Sequence, residues 1–166
     1  VHVYSEPGRG TSFRIYLPAV DGVVPAGEGT AAAADPSGSE TILLVEDEES
    51  VRTLAFRILT KFGYVVLPAA DGRDALRTAT IYDGPIHLLL TDIIMPNMGG
   101  PELVENVRGI HPEIKILFTS GYTDDAVVRH GLLEANVSFI QKPYSPRELA
   151  QKVRTVLDEA VRPAAP

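Results

Sequence analysis

From Thr41 onward the apolar positions switch repeatedly between two periods. Thr41-Ile42-Leu43-Leu44-Val45 is a nearly unbroken apolar run of strand length, the pattern of a strand covered on both faces. Val51, Leu54, Ala55, Ile58, Leu59 and Phe62 then recur at i, i+3, i+4, i+7, i+8 and i+11, which is one stripe of an amphipathic helix. Gly63 follows where a left-handed residue closes a helix. Residues 64–67 predict a second strand, and Asp71-Gly72-Arg73-Asp74 caps a helix carrying Ala75, Leu76 and Ala79. Residues 87–91 predict a third strand. A loop with Pro96, Gly99 and Gly100 leads into a helix with Leu103, Val104 and Val107. Residues 114–119 and 137–140 predict two further strands, separated by a thinner helical stripe over 123–133. Ser145-Pro146-Arg147-Glu148 is a capping box with proline at the first helical position. The stripe of that last helix is Leu149, Val153, Val156, Leu157 and Ala160.

Five strand–helix repeats with apolar strands predict an α/β fold, a doubly wound five-stranded parallel sheet with helices on both faces. The first forty residues do not share this pattern. Val1 and Val3, then Phe13, Ile15 and Leu17 alternating with Arg14 and Tyr16, suggest two strands around the turn-rich Ser5-Glu6-Pro7-Gly8-Arg9-Gly10-Thr11. Two strands form no core alone, so residues 1–18 look like the truncated end of another domain. Residues 19–40 hold six Ala, four Gly and two Pro in 22 positions and no aromatic, the composition of a flexible linker. The body is expected over 41–160 and a disordered tail over 161–166.

Composition narrows the function classes. The chain has 166 residues, no cysteine and a net charge of -7. Disulfide scaffolds, thiolate zinc sites and cysteine nucleophiles are excluded, and the acidic balance argues against a nucleic-acid-binding face. No apolar run reaches the ~20 residues of a membrane span, so no membrane contact is expected of this stretch. The chain starts at Val1, which suggests a piece of a longer protein whose remainder leaves room for a membrane anchor. His2, His87, His111 and His130 lack metal-ligand spacing and are given no chemistry.

Ligands of open parallel sheets bind beyond the carboxyl ends of the strands. Glu46-Asp47-Glu48 follows the first strand, Asp92 ends the third, Thr119-Ser120 the fourth and Lys142-Pro143 the fifth. Glu48 and Glu49 serve as well for helix capping. Crowded carboxylates repel unless a cation neutralises them, and hard oxygen donors suit Mg²⁺. A carboxylate beside such an ion can attack phosphorus while the ion and a lysine hold the equatorial oxygens. The set reads as a phosphoryl acceptor.

These residues, with Ile94-Met95-Pro96-Asn97-Met98-Gly99-Gly100, resemble the receiver domain of two-component response regulators. The resemblance implies a flavodoxin-like (βα)5 fold with strand order 2-1-3-4-5. It implies that Asp92 accepts phosphate from the phosphohistidine of a histidine kinase or phosphotransfer protein. Glu46, Asp47, Asp92 and the Ile94 carbonyl would ligate Mg²⁺, Lys142 would pair with the phosphate across a cis Lys142–Pro143 peptide, and Thr119 and Phe139 would switch a partner surface. Two departures are Glu46, where many relatives carry Asp, and Phe139, where Tyr is frequent. Ser5-x-Pro7-Gly8-x-Gly10-Thr11-x-Phe13 resembles the last glycine box of a histidine-kinase ATP-binding domain, which implies a hybrid kinase as parent and a cytoplasmic location for this stretch. Only phosphoacceptance and dephosphorylation would be this fragment's own chemistry. Rival readings are a haloacid-dehalogenase-like Mg²⁺ phosphatase and a pseudo-receiver that only binds a partner; dimerisation stays open.

Overall fold

Apolar runs of five or six residues are too short to nucleate helices and long enough to lie buried in a sheet. The computed structural model describes residues 1–16, 35–121 and 138–159, and it falls into two units, Val1–Ala33 and Ala34–Pro166. In the first, β1 (His2–Glu6) and β2 (Gly10–Arg14) pair antiparallel, with Val3 opposite Phe13. Gly8 and Gly10 turn the chain at φ 79° and 88°, a region open to glycine without a Cβ penalty. Val3, Phe13 and Ile15 remain exposed. Leu17 and Pro18, the helix expected over 123–133, and the tail lie outside the described residues.

The second unit opens with β3 (Thr41–Val45) and α1 (Glu49–Lys61), followed by β4 (Val65–Ala69) and α2 (Gly72–Ile81). Then come β5 (Leu88–Asp92), α3 (Gly100–Ile110), β6 (Lys115–Ser120), β7 (Ser138–Gln141) and α4 (Pro146–Asp158). The strands are parallel in the order β4-β3-β5-β6-β7, which is the expected 2-1-3-4-5. Pro68 is tolerated in β4 because that strand lies at the sheet edge.

Successive strand residues point to opposite faces, and the core divides accordingly. Leu43, Val45 and Leu89 pack with Ala75, Leu103 and Val107 of α2 and α3. Ile42, Leu44 and Leu90 pack with Ala55, Leu59, Leu149 and Val153 of α1 and α4. The helix ends follow the sequence signals. The Asp71 carboxylate accepts from the Asp74 N–H at 2.8 Å, and both halves of the Ser145/Glu148 capping box form. One stripe residue departs from expectation: Leu54 is 54% exposed, because α1 meets its core layer through Ala55, Ile58 and Leu59 and leaves the flank carrying Leu54 to solvent.

The end of the segment that composition assigns to a linker is docked. Tyr64 donates its hydroxyl to the Pro36 carbonyl at 2.8 Å, and Gly38 N–H bonds to the Phe62 carbonyl at 3.0 Å. Glu40 and Arg154 form an ion pair at 2.8 Å. The packed unit thus takes in residues 36–40, where the Phe62 carbonyl, the Tyr64 hydroxyl and the Arg154 guanidinium supply partners that an Ala/Gly/Pro count does not reveal.

Two outcomes follow. A Cβ on Gly100 would lie 2.4 Å from the Asp92 carbonyl oxygen and 2.9 Å from the Phe118 ring, so Gly100→Ala lowers stability by about 1–3 kcal/mol in urea denaturation. Burial opposes the charge of Glu40, but hydrogen bonds from its own and the Ser39 N–H and from Arg154 outweigh it and hold its pKa below the ordinary value. Its contribution is complete above the unfolded-state pKa and vanishes as pH falls through the folded-state one. Arg154→Met therefore costs roughly 1 kcal/mol near neutrality, and the deficit against the parent shrinks in denaturation at progressively acidic pH.

Candidate functional site

The register sets which polar residues meet. Val45 pairs with Thr91 and Asp92 with Thr119, so the chain leaves β3, β5 and β6 at one edge of the sheet. Lys142, just past β7, is drawn to the same edge by its N–H bond to the Ser120 carbonyl at 2.8 Å. Glu46 and Asp47 lie in the turn between β3 and α1. The loop after β5 folds back through the Gly100 N–H to Ile93 carbonyl bond at 3.0 Å, with Asn97 in the left-handed region at φ 67°. Gly100 lets that loop lie against the Asp92 backbone.

Glu46, Asp47 and Asp92 each place a carboxylate oxygen within 4.8 Å of the other two. At an effective dielectric of ~20, two such charges repel by about 3 kcal/mol. The Lys142 ammonium offsets this by donating to Glu46 Oε2 at 2.6 Å and Asp92 Oδ2 at 2.7 Å. Burial penalises the charge on Lys142, yet its bonds to Asp92 and Glu46 outweigh that and raise its pKa. Burial pushes the Glu46 carboxyl upward; Lys142 opposes this, while Asp92 and Asp47 add to it. Glu46 is 4% exposed, whereas Asp47 is open to solvent. Asp92 Oδ1 accepts from the Ile94 N–H at 3.1 Å, leaving Oδ2 on Lys142.

Thr119 is 3% exposed and its Oγ1 has no hydrogen-bond partner among the described residues. A buried hydroxyl without a partner is costly, and this one lies one strand from Asp92. The Lys142–Pro143 peptide is cis. Phe139 shares a register position with Phe118 on β6 and is 44% exposed, so it stands on the sheet edge beside the site rather than in it. Glu48 occupies the N-cap of α1 without a side-chain capping bond; its carboxylate accepts instead from the Ser50 hydroxyl at 2.6 Å.

One contributor escapes sequence reading. Arg52 Nη1 donates to the Glu46 carbonyl at 2.6 Å and to the Asp47 carbonyl at 3.3 Å. Its only sequence signal is a basic residue one helical turn inside α1.

Three carboxylates against one ammonium form a donor set of hard oxygens with surplus negative charge, which fits a small divalent cation that retains several waters. Glu46, Asp47 and Asp92 supply side-chain oxygens for it. No helix among the described residues is long and apolar enough to cross a membrane.

Comparison with known proteins places these observations. The family model described as response regulator receiver domain matches residues 42–154. The sensor kinase CckA of Brucella abortus (strain 2308) is 40% identical over 167 residues, covering 96% of this chain, which itself spans only 18% of that relative's length. A crystal structure of the receiver domain from the hybrid histidine kinase CckA is 40% identical, with a TM-score of 0.60, over 71% of this chain and 99% of that one. The Vibrio cholerae chemotaxis protein CheY4 is 29% identical, with a TM-score of 0.64, over 72% of this chain and 99% of its own.

If the acidic edge holds a divalent cation, millimolar Mg²⁺ raises the thermal midpoint, by mass action worth about 2.7 kcal/mol at a hundredfold excess over Kd. Asp47→Asn suppresses the shift. Cation binding needs ionised Glu46, whose pKa is raised, so the Mg²⁺ shift fades as pH falls, starting at a higher pH than an ordinary carboxylate would give. Calorimetry across pH, with Glu46→Gln alongside the parent, checks both.

Proposed function

The chain belongs to the response regulator receiver family of two-component signalling, and from that membership we propose that it accepts a phosphoryl group on Asp92 from a phosphohistidine and so switches a partner-binding surface. The observation that carries this reading is the Lys142 ammonium shared by Asp92 and Glu46 at 2.7 and 2.6 Å, with Asp47 completing the acidic cluster. Read this way, Asp92 would be the nucleophile, Lys142 the cation for the transferred oxygens, and Glu46 with Asp47 the carboxylate pair suited to a metal.

In this reading an Asp92 carboxylate oxygen attacks phosphorus. A P–O bond forms as the P–N bond to the donor imidazole breaks, and the electron pair leaves with that ring. Phosphoryl transfer asks little of the protein beyond positioning and charge stabilisation. Lys142 turns from Asp92 Oδ2 toward a phosphoryl oxygen, and Thr119 Oγ1, buried without a partner among the described residues, donates to another. Glu46, Asp47, Asp92 and the Ile94 carbonyl would hold Mg²⁺, which when bound supplies charge neutralisation for the transferring oxygens. Reorientation of Thr119, followed by the exposed Phe139, is the local event that biases the surface between two states.

The phosphodonor is a histidine kinase or a histidine phosphotransfer protein. Alignment with a sensor kinase across 96% of this chain is too long to stop at the receiver and reaches into residues 1–18, which supports reading the β1–β2 hairpin as the end of a histidine-kinase ATP-binding domain and the parent as a hybrid kinase. In this reading the receiver lies on the cytoplasmic side.

With Mg²⁺ and acetyl phosphate, intact mass spectrometry is expected to show one phosphoryl adduct, absent in Asp92→Asn. Mass is the suitable readout because the chain contains no tryptophan. Lys142→Met forms the adduct slower by on the order of 10²-fold. Sustained turnover of unrelated phosphate esters would replace the proposal with a phosphatase; no adduct with any donor would leave a binding-only module.

A further inference from the structure

Glu46 and Asp47 lie beyond the last ladder position of β3 and before the first turn of α1, so regular secondary structure does not fix them. Backbone support for this turn is thin. The Glu46 N–H bonds to the Ala69 carbonyl at 3.3 Å, and the N-cap Glu48 makes no side-chain capping bond. What spans the turn from outside is Arg52. Its backbone N–H joins the helix by bonding to the Glu48 carbonyl at 2.9 Å, and its Nη1 reaches back to the carbonyl oxygens of both acidic residues. One planar, always-charged group thus ties the first turn of α1 to the two peptide units from which the carboxylates project.

Resting on the reading of the site as a metal-dependent phosphoryl acceptor, we propose that Arg52 is a positioning residue, holding the Glu46 and Asp47 backbone so that both carboxylates aim at one cation. Two physical effects act together. The bonds to successive carbonyls remove rotational freedom from the turn, so the carboxylates do not have to be ordered by the cation itself. The guanidinium also brings positive charge behind the acidic cluster, where it lessens mutual repulsion of the carboxylates without occupying the cation's place. Partners that orient ligands in this way without touching the metal are worth as much as one to two orders of magnitude in metal affinity.

The test is direct cation binding, which does not depend on phosphorylation. Mn²⁺ affinity of the full 166-residue chain is measured by electron paramagnetic resonance of the free ion, for the parent, Arg52→Ala and Arg52→Lys, with urea midpoints for each. Arg52→Ala is expected to weaken Mn²⁺ binding on the order of tenfold, while the adduct rate at saturating Mg²⁺ stays near that of the parent. Arg52→Lys, which keeps the charge and loses the planar guanidinium, falls between them and also serves if the alanine variant folds poorly. Parental Mn²⁺ affinity in both variants overturns the role of Arg52 and leaves the site intact. A loss in Arg52→Lys that follows its drop in urea midpoint also overturns it, because a general structural part would then suffice. A parent that binds no Mn²⁺ removes the reading of the site and this inference with it.

Discussion

Like-charged carboxylates from two separate chain segments lie within 4.8 Å of one another, and one ammonium offsets their repulsion. Lys142 reaches Glu46 after β3 and Asp92 at the end of β5, and the rest of the second unit serves that meeting. A carboxylate as enclosed as Glu46 is stable only when paired, because removing one partner of a buried ion pair costs about 3–5 kcal/mol. The parallel sheet gives the geometry its rigidity. Its strands end together, and the fully buried Leu43, Leu89, Leu90 and Leu117 allow no sliding of one strand past another without opening both core layers.

The two ends of this sheet are built on opposite terms. At the amino-terminal end the groups are satisfied: Arg154 bonds Glu40 and Asp158, Tyr64 bonds the Pro36 carbonyl, and the Thr41 N–H donates to His87 Nδ1 at 2.9 Å. The Lys115 ammonium donates to the Leu157 and Glu159 carbonyls at the end of α4. At the carboxyl end one hydroxyl lacks a partner among the described residues, and three acids crowd beside one ammonium that bonds two of them. Local consistency is given up at one edge only, the pattern expected where a fold carries a functional site. A site with surplus charge can answer a change in charge, and its satisfied counterpart supplies a fixed frame for it.

The turn joining β3 to α1 shows how such a frame is finished. The usual device for a helix start, a side-chain oxygen on the N-cap accepting from the first turn, is present at Asp71 and Ser145 and absent at Glu48. At that helix start the chain carries acids in place of a cap, and the connection is made from inside the helix by Arg52. The same positions cannot readily serve both as a close-bonded cap and as open carboxylates for a cation.

Periodicity alone sufficed for the sheet, its strand content and most helix ends, because apolar spacing and capping residues act within a few positions of each other. Glu46, Asp47, Asp92, Thr119 and Lys142 were likewise legible as strand-end residues, since parallel strands deliver their carboxyl ends to one edge. The sequence was silent where partners lie far apart along the chain. The docking of residues 36–40 depends on Tyr64 and Arg154, and the exposure of Leu54 depends on how α1 is rotated against its core layer. The sharing of one ammonium by residues 46 and 92, and the reach of Arg52 to the carbonyls behind them, are likewise matters of tertiary contact. A local pattern reports what each segment must bury, and only the assembled chain decides which charges face each other across the gaps between segments.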